Sequence, residues 1–250
     1  MLKFLLSALT LFLSGIFSSG AWAEVVINGT RIVFNASEKE SAVQLKNNGK
    51  NPYLLQLWMD NGDPKSRPGE AKVPFVITPP IVRIDPHKGQ AVRIMANAPT
   101  LPQDRESLFW FNMLEVPPKP TAKVNAGDNL LQLAFRTRIK FFYRPANLKP
   151  EPLAAYKNLK FDLANTSLII TNDSPYFITF NKLEIRKTKN SELLAAVEKF
   201  PQRMIEPKGK MTLPLAIKKP TEISSGTLYY SVINDYGGES NNEQLLQNKP

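Results

Sequence analysis

The 250-residue sequence contains no cysteine and a single histidine, His87. The first absence removes thiol nucleophiles, disulfides and every cysteine-containing zinc cage. The second leaves one imidazole for any Ser-His-Asp site. His87 lies in Asp85-Pro86-His87-Lys88-Gly89, a turn-forming cluster. It reads as a solvated turn residue, so the sequence points away from an enzyme and implies no cofactor and no metal site. Long apolar stripes at helical spacing are missing too. Ser191 to Phe200 is the best candidate for a helix, with a loop as its rival.

What is present begins with Lys3, an apolar run from Phe4 to Phe17, and Ala21-Trp22-Ala23 just before Glu24. A positive start, an apolar centre and a small-x-small exit predict a secretory signal peptide over 1–23, cut between Ala23 and Glu24, with no membrane insertion afterwards. The chain carries 32 Lys and Arg against 22 Asp and Glu, a formal charge of +10. Residues such as Lys46, Lys72, Arg93, Lys160 and Lys218 are scattered, without the aromatic interleaving of a single-strand binder. Export argues against nucleic acid as well. A solvated basic surface fits, and an anionic protein partner stays open.

Short alternating runs recur: Val43 and Leu45; Tyr53, Leu55 and Leu57; Val92 and Ile94; Leu131, Leu133 and Phe135. Clusters such as Asn47-Asn48-Gly49 and Asn61-Gly62-Asp63-Pro64 separate them, the pattern of an all-β antiparallel sandwich. An internal repeat accompanies it. Asn51-Pro52-Tyr53-Leu54-Leu55-Gln56-Leu57 resembles Ser174-Pro175-Tyr176-Phe177-Ile178-Thr179-Phe180, and Asp85-Pro86-His87-Lys88-Gly89 resembles Glu206-Pro207-Lys208-Gly209. Order and spacing are kept, which predicts two copies of one sandwich topology. Between them Pro145, Pro150 and Pro152 stiffen a short connection. The expected organisation is a leader over 1–23, a first domain over 24–143, a linker over 144–152 and a second domain over 153–250.

Five stretches then carry a family resemblance: Gly29-Thr30-Arg31-Ile32-Val33; Thr78-Pro79-Pro80-Ile81-Val82-Arg83-Ile84; Arg105-Glu106-Ser107-Leu108-Phe109-Trp110-Phe111-Asn112; Arg138-Ile139-Lys140-Phe141-Phe142-Tyr143-Arg144-Pro145; and Ile233-Asn234-Asp235-Tyr236-Gly237-Gly238. In combination they resemble the PapD-like periplasmic pilus-assembly chaperones of the chaperone/usher pathway. The resemblance implies two immunoglobulin-like sandwiches set at an angle like a boomerang. It implies a periplasmic, non-enzymatic protein that binds pilin subunits by donor-strand complementation and delivers them to an outer-membrane usher.

By the same resemblance Arg31 and Lys140 hold the subunit's C-terminal carboxylate, Leu131, Leu133 and Phe135 are the donated side chains, and Glu106, Arg144 and Asp235 form an ion network between domains. Leu130, Gln132 and Ala134 fall on the other side of the donor strand, with Ala134 expected to face this domain's own core. The short, cysteine-free segment from Pro117 to Asn129 resembles the short-loop group. Free donor strands make self-association of the unliganded protein an expectation. The rival reading is an exported adhesive or carbohydrate-binding sandwich using Trp58 or Trp110.

Overall fold

The structure, a computed structural model, describes residues 24–97, 100–119, 132–220, 223 and 226–246. The expected leader and Leu131 lie outside them. Strands β1 (Val25–Ile27), β3 (Glu40–Asn47), β7 (Gly89–Ala96) and β5 (Phe75–Thr78) form one sheet in that order. A facing sheet runs β2 (Arg31–Asn35), β9 (Phe135–Arg144), β8 (Ser107–Val116), β4 (Tyr53–Asp60) and β6 (Ile81–Ile84). Alternate residues bury themselves between the two, among them Val43, Leu45, Val92 and Ile94 from one sheet and Leu55, Leu57, Phe109, Phe111, Met113, Phe141 and Tyr143 from the other. The β2–β9 pairing is parallel, with Arg31 opposite Lys140. The chain reaches β2 by changing sheets at Asn28-Gly29-Thr30, where Gly29 sits at φ +125°, a conformation that a side chain disfavours.

The second sandwich packs β10 (Lys160–Ala164), β11 (Ser167–Asn172) and β15 (Gly209–Pro214) against a second sheet. That sheet runs β16 (Ala216–Ile217), β13 (Leu193–Ala196), β12 (Ile178–Arg186), β17 (Thr227–Ile233) and β18 (Glu239–Leu245), with β14 (Met204–Ile205) also on β12. Its core is separate, built on Leu168, Ile170, Phe180, Leu183, Ile185, Leu228 and Tyr230. Ser191 to Phe200 is not helical. Its centre is β13, where Leu194 and Ala195 are buried because β12 and β16 flank the strand on both edges. The helix that does form is α1 (Pro152–Lys157), with proline in its first turn, where the missing N–H has no intrahelical partner to lose. Both proposed copies are therefore immunoglobulin-like sandwiches.

The repeat has a physical cause. Asn47 and Asn172 each end a strand and are fully buried. Asn47 Nδ2 donates to the carbonyls of Asn51 (2.8 Å) and Ile84 (3.1 Å), while its Oδ1 accepts from the Gly49 amide at 2.9 Å. Asn172 Nδ2 donates to the carbonyls of Tyr176 and Glu206, both at 2.8 Å, and its Oδ1 accepts from the Ser174 amide and hydroxyl. Each side-chain amide thus ties a Pro-Tyr segment to a proline turn. In those turns Pro86 precedes His87 at φ 60° and Pro207 precedes Lys208 at φ 54°, and the amides of Lys88 and Gly209 close back on Asp85 and Glu206. Both are type II turns, built with a histidine and a lysine where glycine is usual. His87 is exposed in its turn.

Candidate functional site

Strand β9 organises the junction between the domains. On its even-numbered face it carries Arg136, Arg138, Lys140, Phe142 and Arg144. Toward the first domain's far end, Arg138 Nη2 lies 2.6 Å from the buried carboxylate of Asp60, and Arg136 Nη2 lies 3.5 Å from it. Burial raises the Asp60 carboxyl, but hydrogen bonds from Arg138, Asn112, the Gly62 amide and Ser66 outweigh that and hold it below the usual carboxylate range. The two guanidinium groups lie over the rings of Trp58 and Trp110, at 4.7 and 4.0 Å from their centroids.

At the other end of the face, Arg144 bridges the domains. Its Nε donates to Glu106 at 2.8 Å, and its two terminal nitrogens make a fork on Asp235 at 2.7 and 2.8 Å. Glu106 in turn accepts the Phe177 amide at 2.9 Å, and its own backbone amide donates to Pro175 O. Burial pushes the Glu106 carboxyl up, opposed by the Arg144 charge and the Phe177 amide. Burial would lower Arg144, but Asp235 and Glu106 outweigh it and hold the guanidinium above its ordinary value. Phe142 touches Phe177 across the same junction, and Gly237, at φ 82°, brings its turn so close that a Cβ there would collide with the Thr30 side chain.

Between these paired cations sit two that have no anion. Arg31 Nη1 donates to the Ile233 carbonyl at 3.0 Å and its Nε is buried without a hydrogen-bond partner. Lys140 Nζ reaches Thr179 Oγ1 at 3.3 Å. Neither makes an ion pair among the described residues. Burial lowers both, and for Lys140, where the Arg31 charge adds to it, the ammonium is pushed down to about 8. The two cations face each other on neighbouring strands, half-buried at the junction of the domains, where a carboxylate could accept from both.

The segment expected to be donated lies just below. β2 covers only Lys140–Arg144 of β9, so Phe135–Ile139 is hydrogen-bonded to β8 on one side and, among the described residues, unpaired on the other. Leu133 and Phe135 are exposed at 56% and 62%, unusual for apolar side chains of that size. Ala134 does not face the core. Residues 132–134 precede the strand and all three are exposed, because β8 ends at Val116 and its last pair with β9 is Glu115 with Phe135. The side that faces the core is the odd one, carried on from Tyr143 and Phe141. Leu133 and Phe135 therefore extend the first domain's own apolar row past the end of its sandwich.

Residues 24–149 match the family described as pili and flagellar-assembly chaperone, PapD N-terminal domain, and residues 154–244 match its C-terminal domain. The chain belongs to the PapD family of pilus-assembly chaperones. A probable fimbrial chaperone of Escherichia coli K12, YadV, is 42% identical over 229 residues, 89% of each chain. The chaperone HifB of Haemophilus influenzae is 36% identical over 247 residues, covering 98% of this chain and 97% of its own. In three dimensions the YadV crystal structure superposes with a TM-score of 0.73 at 37% identity over 90% of this chain and all of that one. The Pseudomonas aeruginosa chaperone CupB2 gives 0.69 at 32% identity over 88% of this chain and all of that one. No described helix is long and apolar enough to cross a membrane.

Sequence reasoning missed the Asp60 cluster and the buried Asn47 and Asn172. The asparagines had a signal, since each precedes one of the repeated Pro-Tyr segments. Asp60 had little, because beyond the nearby Gly62 amide and Ser66 its partners Asn112, Arg136 and Arg138 lie far away in the chain.

Proposed function

We propose that this chaperone captures fimbrial subunits in the periplasm, completes each with its own donor strand, and passes it to an outer-membrane usher, without catalysing a reaction. The signal peptide is removed between Ala23 and Glu24 on export. Arg31 and Lys140 take the subunit's C-terminal carboxylate, while Leu133 and Phe135, with Leu131 before them, fill the subunit's groove as the subunit pairs along the open edge of β9. Glu106, Arg144 and Asp235, beside the linker over 144–152, fix the angle at which the two domains present that edge. The observation that carries the reading is the pair of anion-free cations, Arg31 and Lys140, placed directly above an unpaired strand edge with exposed apolar side chains. The cysteine-free segment from Pro117 to Asn129 is short in sequence, like that of the short-loop group.

The adhesive or carbohydrate-binding alternative needs accessible tryptophan faces. Trp58 is only 7% exposed, and Arg136 and Arg138 already cover the two rings.

The test is periplasmic co-expression with a fimbrial subunit. Wild type should keep the subunit in the soluble fraction. Leu133→Glu should lose it while melting within about 2 °C of wild type, since an exposed position carries little folding energy. Ala134→Glu, across the extended chain, should still retain the subunit. Equal recovery with the two variants would refute donor-strand binding by this segment.

A further inference from the structure

The core-facing side of β8 reads Phe109, Phe111, Met113 and then Glu115, an acid in the row that builds the hydrophobic core. Glu115 is 3% exposed. Its Oε2 accepts the Val25 amide at 3.3 Å, and its Oε1 is buried with no hydrogen-bond partner. Beside it the Glu24 carboxylate also has a buried, unpartnered oxygen, Oε2. Burial raises the Glu115 carboxyl, and the neighbouring Glu24 charge adds to the rise. The nearby Tyr53 hydroxyl is pushed up to about 12 by burial and then by its hydrogen bond to Glu24. Neither carboxylate forms an ion pair among the described residues. Buried acids are normally paired, and among the described residues this end of the first sandwich supplies no cation for them.

Removal of the leader creates one at that place. Water adds across the Ala23–Glu24 peptide bond, leaving a carboxylate on Ala23 and converting the Glu24 nitrogen from an amide to an ammonium. Glu24 is held by its carbonyl, which accepts the Asn48 amide at 2.7 Å. Successive backbone nitrogens are at most about 3.7 Å apart, so the new ammonium starts within about 7 Å of the Glu115 carboxylate. Freed from residue 23, it can approach the carboxylate by rotation about the Glu24 Cα–C bond.

We infer that the mature amino terminus is the counter-ion of Glu115: processing completes a buried ion pair at the open end of the first domain and so stabilises the mature chain over any longer one. This rests on cleavage between Ala23 and Glu24. Mass spectrometry of the exported protein should give a chain starting at Glu24. Another start overturns the inference and leaves the subunit-binding reading intact.

Thermal unfolding then tests the pair. One alanine retained before Glu24 should lower the first domain's Tm by about 4 °C, the shift that the loss of one modest interaction causes in a domain of this size. Glu115→Gln should also lower it, and the extra alanine should then have no further effect. Equal losses from the alanine in both backgrounds would mean that it acts by bulk alone. Recovery of the extended chain's Tm in millimolar calcium would assign the carboxylates to a metal ion instead. Should Glu115→Gln fail to fold, the α-amine of the wild-type protein can be titrated by NMR. A pKa above the ordinary value of about 8 supports the pair, and an ordinary one overturns it.

Discussion

The two domains use one device and part company at its margins. Each locks a Pro-Tyr segment to a type II proline turn through a buried asparagine, Asn47 in the first and Asn172 in the second. In the second domain the last described strand, β18, lies at the edge of its sheet and pairs with β17 along its whole length, Thr227 with Leu245 through Ile233 with Glu239. In the first, the last strand is covered by β2 only at its upper end and leaves Leu133 and Phe135 in solvent below. The same contrast appears in charge. The strand shared with the junction carries Lys140 lowered by burial, whereas Lys160 of the second domain is raised by Asp173 at 2.6 Å. Among the described residues the first domain keeps a strand edge, two exposed apolar side chains and two cations without anions at one place, the incompleteness on which the proposed subunit site rests.

The largest effect should come from removing the two unsatisfied cations. Arg31→Ala with Lys140→Ala should fold and be exported, since losing like charges relieves repulsion and opens no core. Subunit affinity should fall by about 2–5 kcal/mol, the cost of leaving a desolvated carboxylate without its partners. A subunit shortened at its C-terminus should bind wild type and the double variant about equally weakly. Retention of full subunit binding by the double variant, measured by co-purification, would break the contrast between domains at its most important point.

The shared device gives the next effect. Asn47→Ala or Asn172→Ala strands two buried carbonyls and an amide, a loss of about 1–3 kcal/mol. The second should cost more, because Asn172 Oδ1 also accepts the Ser174 hydroxyl at 2.6 Å. Hydrogen exchange separates them: protection should fall in the first domain for Asn47→Ala and in the second for Asn172→Ala. Loss spread equally over both domains by either variant would show that the halves unfold as one unit.

How much of this was legible depended on where each determinant resides. Strand periodicity and the Pro-Tyr repeat are local, and both domains followed from them. The cation pair and the ion network had no local signal and were reached only through motif resemblance, since Arg31 meets Lys140, and Glu106 meets Arg144, through strand pairing and domain packing. Local reading erred where neighbours decide. Leu193–Ala196 is a strand because β12 and β16 lie beside it, and Ala134 is exposed because β8 stops opposite Phe135. In the segment expected to be donated, residues 132–135 are all exposed, and the side of β9 that faces the core is the odd one, the reverse of the expectation for Ala134, since alternation alone does not say where a sheet ends.

The smallest effect sharpens the contrast in charge. Free Lys140 loses its proton around pH 8, below the ordinary value for lysine, because burial and Arg31 penalise the ammonium. A bound carboxylate favours the ammonium, so the complex holds that proton to higher pH than the free protein does. Binding therefore gains its full contribution from Lys140 below about pH 8 and loses it as pH rises, by up to about tenfold in affinity for each unit above that point. The free chaperone should show the opposite sign, its stability rising between pH 8 and the ordinary lysine range, because the unfolded chain then binds the extra proton. Arg31 keeps its charge throughout this range and holds the residual affinity. Titrating the affinity of a subunit's C-terminal peptide from pH 7 to 9 measures the first effect, and Lys140→Arg should flatten the curve. A wild-type curve already flat over that interval would mean that Lys140 does not touch the carboxylate.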